Sequence, residues 1–348
     1  MDDPFDQLKG HWRAKAATVI KRSDQRCVKR LDAQFQTCAE LQKLFQPLSP
    51  DLVAVQLSPG PLHGRVRIFV LGSYRFSVLE TSQSLFLSGS RRPKPCTLAI
   101  PLTDAMADQP YLAQGIPMPW PGLMGYNRSL SDFDLRVPAR ATLATVVIGK
   151  EALLERHTQQ GGGPLMLKRW ESTNQLEVQT DLRLRLQKQL NNLVERDQDT
   201  WKPEEPDQLI DTLLSCFEAP TSRTMAIAKR ETRHEAAIEL LHWCANNTSK
   251  TLSMNELSAE LHQSRTSLFK GSREHLDCTP LELQRSIRMD KVRQLLLNPK
   301  RRRELGLKGV GSIGSAMGFT SRSHFARRYQ QQYGETPLAT IQRGDSVR

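Results

Sequence analysis

The strongest constraint on this chain is a short pattern that occurs twice near its C-terminal end. Ser264, Arg265, Leu268 and Lys270 recur at an offset of 57 as Ser321, Arg322, Phe325 and Arg327. Thr279, Pro280 and Leu281 recur at the same offset as Thr336, Pro337 and Leu338. Upstream the offset falls to 56, aligning Leu257 with Ile313 and His262 with Gly318. One residue has been added in the turn. Two copies of one pattern predict two copies of one small helical unit.

Each copy reads as a short helix, a turn and a second helix. The first opens on Ser253 with Glu256 three residues later, a capping-box pattern. In the second, Ile313 and Met317 lie at helical spacing, and Gly314 is small enough for close packing. Gly318 supplies the left-handed backbone of a tight turn, and Thr320 or Ser321 caps the second helix of the unit. At 100° per residue, Phe325 and Tyr329 share one face of that second helix. Ser323, Ala326, Arg327 and Gln330 point away, flanked by Arg322 and Arg328. In the first copy Leu268 faces inward, while Thr266, Phe269, Lys270 and Arg273 face outward, with Arg265 at the position of Arg322. A helix mounted on aromatics and presenting small polar residues and arginines suits a DNA major groove. A generic amphipathic helix with a solvated basic face would look similar once, but not twice at a fixed offset. The predicted motifs run over about 253–273 and 311–331.

Charge points the same way. The chain of 348 residues carries a formal +12, and residues 291–330 hold ten cations against Glu304 alone. Such a concentration is the expected footprint for phosphates.

Upstream the pattern changes. Residues 1–45 read as helical. From about 51 a period of two takes over in DLVAVQL, GRVRIFVL, YRFSVLE and CTLAIPL, and later in DFDLRVP and ATLATVVI. Short strands punctuated by Gly and Pro favour a small sandwich or barrel, with its core at about 51–150. QQGGGP at 159–164 reads as a flexible tract that ends this unit. Leu182, Leu186, Leu190 and Leu193, and then Leu209, Ile210, Leu213, Leu214 and Phe217, predict two helices within about 174–217. The first of these is a candidate dimer surface, with core packing the stronger use. The fold class is thus α+β, divided into an N-terminal unit (1–218), a linker (219–232) and an all-α C-terminal domain (233–343).

The residues exclude several chemistries. There is no HExxH, GxSxG, GxGxxG or P-loop pattern, and QGGGP lacks the Lys and Ser/Thr that a P-loop requires. Six scattered cysteines without a CxxC pair read as reduced thiols in a cytosolic protein. The histidines form no metal-ligand pattern, and His234 and His242 are assigned packing or surface roles on a helix. No apolar run of 18 residues predicts a membrane span, and the N-terminus lacks a signal core. No catalytic residue, cofactor or metal is expected.

Residues 313–337, IGSAMGFTSRSHFARRYQQQYGETP, together with SRTSL at 264–268, Thr279-Pro280 and Arg288-Met289, resemble the DNA-binding domain of AraC/XylS transcription regulators. The resemblance covers about a third of the chain. It implies two helix-turn-helix units joined by one long helix, here 281–298, that place two recognition helices in successive major grooves. The chain departs from the family at His262 (a turn glycine is common), Ser272 (a core aromatic is usual) and Gly314 (alanine is usual). The runs QLSPGPLHGRVRIFVLGSYRFSVLE and LSGSRRPKPCTLAIPL are similar to sensor regions of regulators akin to the ethanolamine-utilisation regulator. The implied partners are an operator duplex, a small-molecule effector, RNA polymerase and a second copy of the chain. A non-specific or architectural DNA-binding protein is the alternative. A DNA alkylation-repair enzyme with a similar domain is the weaker one, since Cys96 lacks partner cysteines.

Overall fold

The computed structural model describes residues 29–71, 74–91, 95–104, 109–196, 202, 204–227 and 229–346. The helical expectation for residues 1–45 falls partly outside these. Where it can be compared, it is half corrected. Lys29–Phe35 is a strand, β1, and only Cys38–Phe45 is a helix, α1. β1 pairs along its whole length with Gly64–Leu71 (β3), from Lys29 opposite Val70 to Phe35 opposite Gly64. Leu31, Ala33 and Phe35 alternate with polar residues, and that period of two, joined to a ready partner strand, outweighs local helix propensity.

Two antiparallel sheets follow from the alternating segments. The first has eight strands in the order β1, β3, β4 (Tyr74–Thr81), β11 (Thr142–Gly149), β6 (Pro95–Pro101), β9 (Gly122–Met124), β12 (Gln175–Glu177) and β13 (Thr224–Met225). The second has five: β2 (Val53–Gln56), β5 (Leu85–Ser90), β10 (Asp132–Val137), β7 (Leu112–Ala113) and β8 (Ile116–Pro117). A core including Phe35, Leu62, Val66, Leu85 and Val137 lies between the sheets. The outer face of the first sheet is covered by helices α2 (Lys150–Gln159), α3 (Pro164–Ser172), α4 (Thr180–Glu195) and α5 (Glu205–Glu218). The glycine tract at 159–164 does not end this unit. It turns α2 into α3, with Gly161 at φ +65° and Gly162 tight against His157. Leu186, Leu190 and Leu193 of α4 are buried in that helical layer, so their use is core packing and not a dimer surface.

The stretch read as a linker is tied down. β13 pairs with β12, and Arg230 reaches back to Asp132 (2.5 Å), Asp134 (2.7 Å) and Gln114 (2.5 Å). Beyond it the chain is helical: α6 (Thr232–Asn246), α7 (Met254–Glu260), α8 (Arg265–Leu276), α9 (Pro280–Leu297), α10 (Pro299–Glu304), α11 (Val310–Ala316), α12 (Arg322–Tyr333) and α13 (Pro337–Ser346). α9 runs through the middle. α6 to α8 pack at its N-terminal half around Leu240, Leu257, Leu268 and Leu283. α11 to α13 pack at its C-terminal half around Val292, Ile313, Phe325 and Tyr329. The chain is therefore α+β, with a β-rich N-terminal part and a helical C-terminal part. Among the described residues no helix is long and apolar enough to cross a membrane.

Candidate nucleic-acid interface

The first helix-turn-helix is α7, a turn and α8. Ser253 and Glu256 form the expected capping box: Ser253 N–H donates to the Glu256 carboxylate at 2.7 Å, and Glu256 N–H donates to Ser253 Oγ at 3.4 Å. In the turn, His262 sits at φ +51°, the left-handed region that favours glycine. Ser258 Oγ donates to Gln263 O at 2.7 Å, which pins the turn, and Ser264 Oγ accepts from Ser267 N–H at 3.0 Å to start α8. Leu268 anchors α8, and Gly271 lets α6 approach so closely that a Cβ there would lie 1.9 Å from Arg233 O. Ser272, in the place of an aromatic, is fully buried and donates to Cys278 O at 2.7 Å. Arg265, Thr266, Phe269, Lys270 and Arg273 all face solvent. Phe269 is 47% exposed, with the Arg273 guanidinium 5.9 Å from its ring.

The second unit is α11, a turn and α12. Gly318 makes the turn at φ +77°. Phe325, Tyr329 and Tyr333 mount α12 on α9, with the Phe319 ring tilted against Phe325 at 5.1 Å between centroids. Gly314 lies on the Phe325 ring, but a Cβ there would sit at an ordinary 3.5 Å, so close approach does not require glycine. Arg322, Ser323, Arg327, Arg328 and Gln330 are exposed along the opposite face. Arg327 is hydrogen-bonded to His324 Nδ1 at 3.2 Å.

The two units are linked through α9, whose 18 residues span Pro280–Leu297, within one residue of the expected bridging helix. Arg288, nearly buried, donates to Thr251 Oγ1 at 2.6 Å on one side and to Met317 O at 3.3 Å on the other. It thus ties the turn of the second unit to the first. Sequence reading missed Arg285. It lies on α9 in a groove with Arg328 and Gln331, and its pKa is lowered by burial and by the like charge of Arg328. Its place on the bridging helix was the available signal.

Two cations counted in the basic segment are structural. Arg293 is fully buried and bonds Glu335 (2.6 Å) and Gln36 O (3.2 Å), with its guanidinium 4.5 Å from the Tyr333 ring. Arg302 is buried on Asp345. The external charge of residues 291–330 is accordingly smaller than the sequence count. His234 and His242 are packing residues: His234 lies 3.2 Å from Asp134 and stacks on His275, and His242 Nε2 shares a hydrogen bond with Ser88 Oγ at 3.0 Å. The Cys96 thiol is buried and pushed up to about 12 by that burial, which leaves it a poor nucleophile. Among the described residues no cluster of three or more His, Cys, Asp or Glu is arranged to hold a metal.

Two aromatic- and leucine-anchored recognition helices on one bridging helix define a double helix-turn-helix DNA-binding module. Residues 257–343 match a family described as "Helix-turn-helix domain". The HTH-type transcriptional regulator CdhR of Pseudomonas aeruginosa is 31% identical over 100 residues, which cover 29% of this chain and 28% of that relative. A probable AraC family transcriptional regulator from Rhodopseudomonas palustris is similar at 23% identity over 32% of this chain and 97% of its own, with a TM-score of 0.29. The AraC-like transcriptional activator CuxR is similar at 15% identity over 74% of this chain and 100% of its own, with a TM-score of 0.36. Residues 257–343 are thus similar to the helix-turn-helix domains of such regulators. The chain spans under a third of the length of its curated relative.

Proposed function

We propose that the chain is a sequence-specific DNA-binding transcription regulator that reads two successive major grooves. The observation that carries this reading is the pair of outward polar faces, Thr266/Phe269/Lys270 and Ser323/Arg327/Gln330, held by one continuous α9. At 1.5 Å per residue α9 is about 27 Å long, close to the ~34 Å between major grooves on one side of a duplex. Ser323 and Arg327 contact bases in one groove, and Thr266, Phe269 and Lys270 in the other, with Phe269 suited to thymine methyl groups. Gln330 shares the outward face with Ser323 and Arg327, and Arg265, Arg273, Arg322 and Arg328 support these contacts from the flanks, where arginines hold phosphates. The N-terminal part, up to about residue 218, serves as the effector-binding unit. RNA polymerase and a second copy of the chain are its further partners.

Selection from a random duplex library with the full chain, at near-physiological salt, tests this. Enrichment of a motif with two boxes about one helical turn apart is the expected result. Retention of DNA without an enriched motif would replace it with non-specific binding.

A further inference from the structure

The two helix-turn-helix units differ in the segment that enters them. In the first, α6 ends at Asn246 and α7 begins at Met254, leaving residues 247–253 between. In the second, α9 ends at Leu297 and α11 begins at Val310, leaving the longer stretch 298–309. The short connection carries one cation, Lys250, and no carboxylate. The long one carries Lys300, Arg301, Arg302, Arg303 and Lys308 against Glu304 alone.

The added length is built into the fold. Asn298 caps α10 by accepting the Arg301 N–H at 2.9 Å, and Pro299 starts the helix. Gly306 closes it at φ +68°. Its N–H donates to Arg303 O at 3.1 Å, and that of Leu307 donates to Arg302 O at 2.9 Å. Arg302 is buried on Asp345 of α13, and Leu307 and Val310 pack on the core of the second unit. One arginine turned inward thus fixes the segment, and the rest of its charge faces solvent. Lys300, Arg301, Arg303 and Lys308 are all exposed. Arg301 pairs with Glu304 at 2.9 Å, which uses the only carboxylate in the segment. Among the described residues, Lys300, Arg303 and Lys308 have no ion-pair partner. Lys300 and Arg303 stand three apart on α10, where like charges disfavour a helix. Folding gains nothing from these three charges, whereas an external polyanion would.

Their position says which polyanion. Gly311, three residues after Lys308, lies beside the Arg322 guanidinium, which a Cβ there would meet at 3.6–3.8 Å. Arg322 opens α12, and the N-terminal end of a recognition helix is the end closest to the bases. The segment therefore runs up to the duplex-facing end of α12. It also follows the C-terminal end of α9, the end remote from the first unit.

We propose that Lys300, Arg303 and Lys308 hold the phosphate backbone outside the box read by the second unit, on the side away from the first. The first unit has no counterpart to this segment. The contact is therefore one-sided, and it gives a site of two similar boxes a polarity. That polarity rests on the functional reading above; the contact with phosphates does not.

The test uses the full chain and a variant with Lys300→Ala, Arg303→Ala and Lys308→Ala together, all at exposed positions. Affinity for long duplexes is measured over a range of salt concentrations. The variant should lose about 2–3 from the log–log salt slope, on selected and scrambled duplexes alike. An unchanged slope would overturn the contact and turn the search to an acidic protein partner. The selected duplex is then trimmed to the edge of either box. For the wild type, trimming outside the second box should weaken binding roughly tenfold at low salt, and trimming outside the first should not. Equal losses at the two ends, or none at the second, would overturn the polarity, and this comparison needs no variant. If selection yields no motif, the sequence-specific reading fails, while the slope on scrambled duplexes still decides the phosphate contact. If a motif emerges and the slope is unchanged, the contact alone fails.

Discussion

The carboxylate of Asp290, midway along α9, accepts the backbone N–H of Cys38 at 3.0 Å, across 252 positions of sequence. Ala39 N–H adds a second bond at 3.2 Å. A bridging helix of the DNA-binding region thus satisfies donors at the start of a helix in the β-rich region, where helices leave such groups unpaired. Burial pushes the Asp290 pKa up to about 6, against the opposing pull of the two N–H groups and Arg293.

That shift sets a pH dependence. A carboxyl with a raised folded-state pKa binds its proton more tightly when folded. Its favourable contribution is fully present below the unfolded value near 3.8 and is lost as pH rises through about 6. Relative to Asp290→Asn, the wild type should therefore lose about 2 kcal/mol between pH 4 and pH 6. Urea midpoints of the two proteins across that window measure it, and parallel profiles would show that Asp290 does not titrate there.

His262 carries a left-handed backbone at φ +51°, where the second copy of the motif has Gly318 at φ +77°. A side chain in that region costs about 1–2 kcal/mol, partly offset by the greater freedom of an unfolded glycine. His262→Gly should stabilise the chain by roughly 0.5–1 kcal/mol, read as a higher urea midpoint with an unchanged slope.

Two helical glycines should respond oppositely to alanine. At Gly314 the added methyl meets Phe325 at 3.5 Å, so helix propensity decides and stability should rise by up to ~1 kcal/mol. At Gly271 it meets Arg233 O at 1.9 Å, and α6 must move. Gly271→Ala should cost roughly 2 kcal/mol or more, since overpacking forces backbone shifts. Thermal melts of the pair give both signs in one experiment.

The two adjacent arginines of α12 should separate on DNA. Arg327→Ala should cost ~1–3 kcal/mol on the selected site and relax preference at one base position. Arg328→Ala should weaken all sequences alike and reduce the salt slope by about one. Titrations on selected and scrambled duplexes at several salt concentrations tell these outcomes apart.

Much of the C-terminal architecture was legible because its signals are local. The capping box at Ser253, the turn at Gly318 and the spacing of Phe325 and Tyr329 each act within a few residues. The alternating strands were legible for the same reason. What the sequence concealed depends on contacts far along the chain. Lys29–Phe35 is a strand through its pairing with β3. Arg293 and Arg302 resemble surface cations until Glu335 and Asp345 are brought to them. Arg230 reads as part of a linker until Asp132 and Asp134 surround it. For the candidate site, all ten residues expected at the surface are exposed, whereas Arg285 became visible only once α9 and α12 were side by side.

The single thickness of the second sheet has a consequence for genetics. Residues adjacent in sequence on β5 and β10 answer to different neighbours: Leu87 to the core between the sheets and Ser88 to His242, Leu135 to that core and Arg136 to Asp277. A substitution scan along these strands should therefore yield phenotypes in alternation. One position would change the packing between the two sheets, and the next would change how firmly the helical region is held. Two traits that selection would otherwise tune in separate parts of a gene are interleaved here codon by codon.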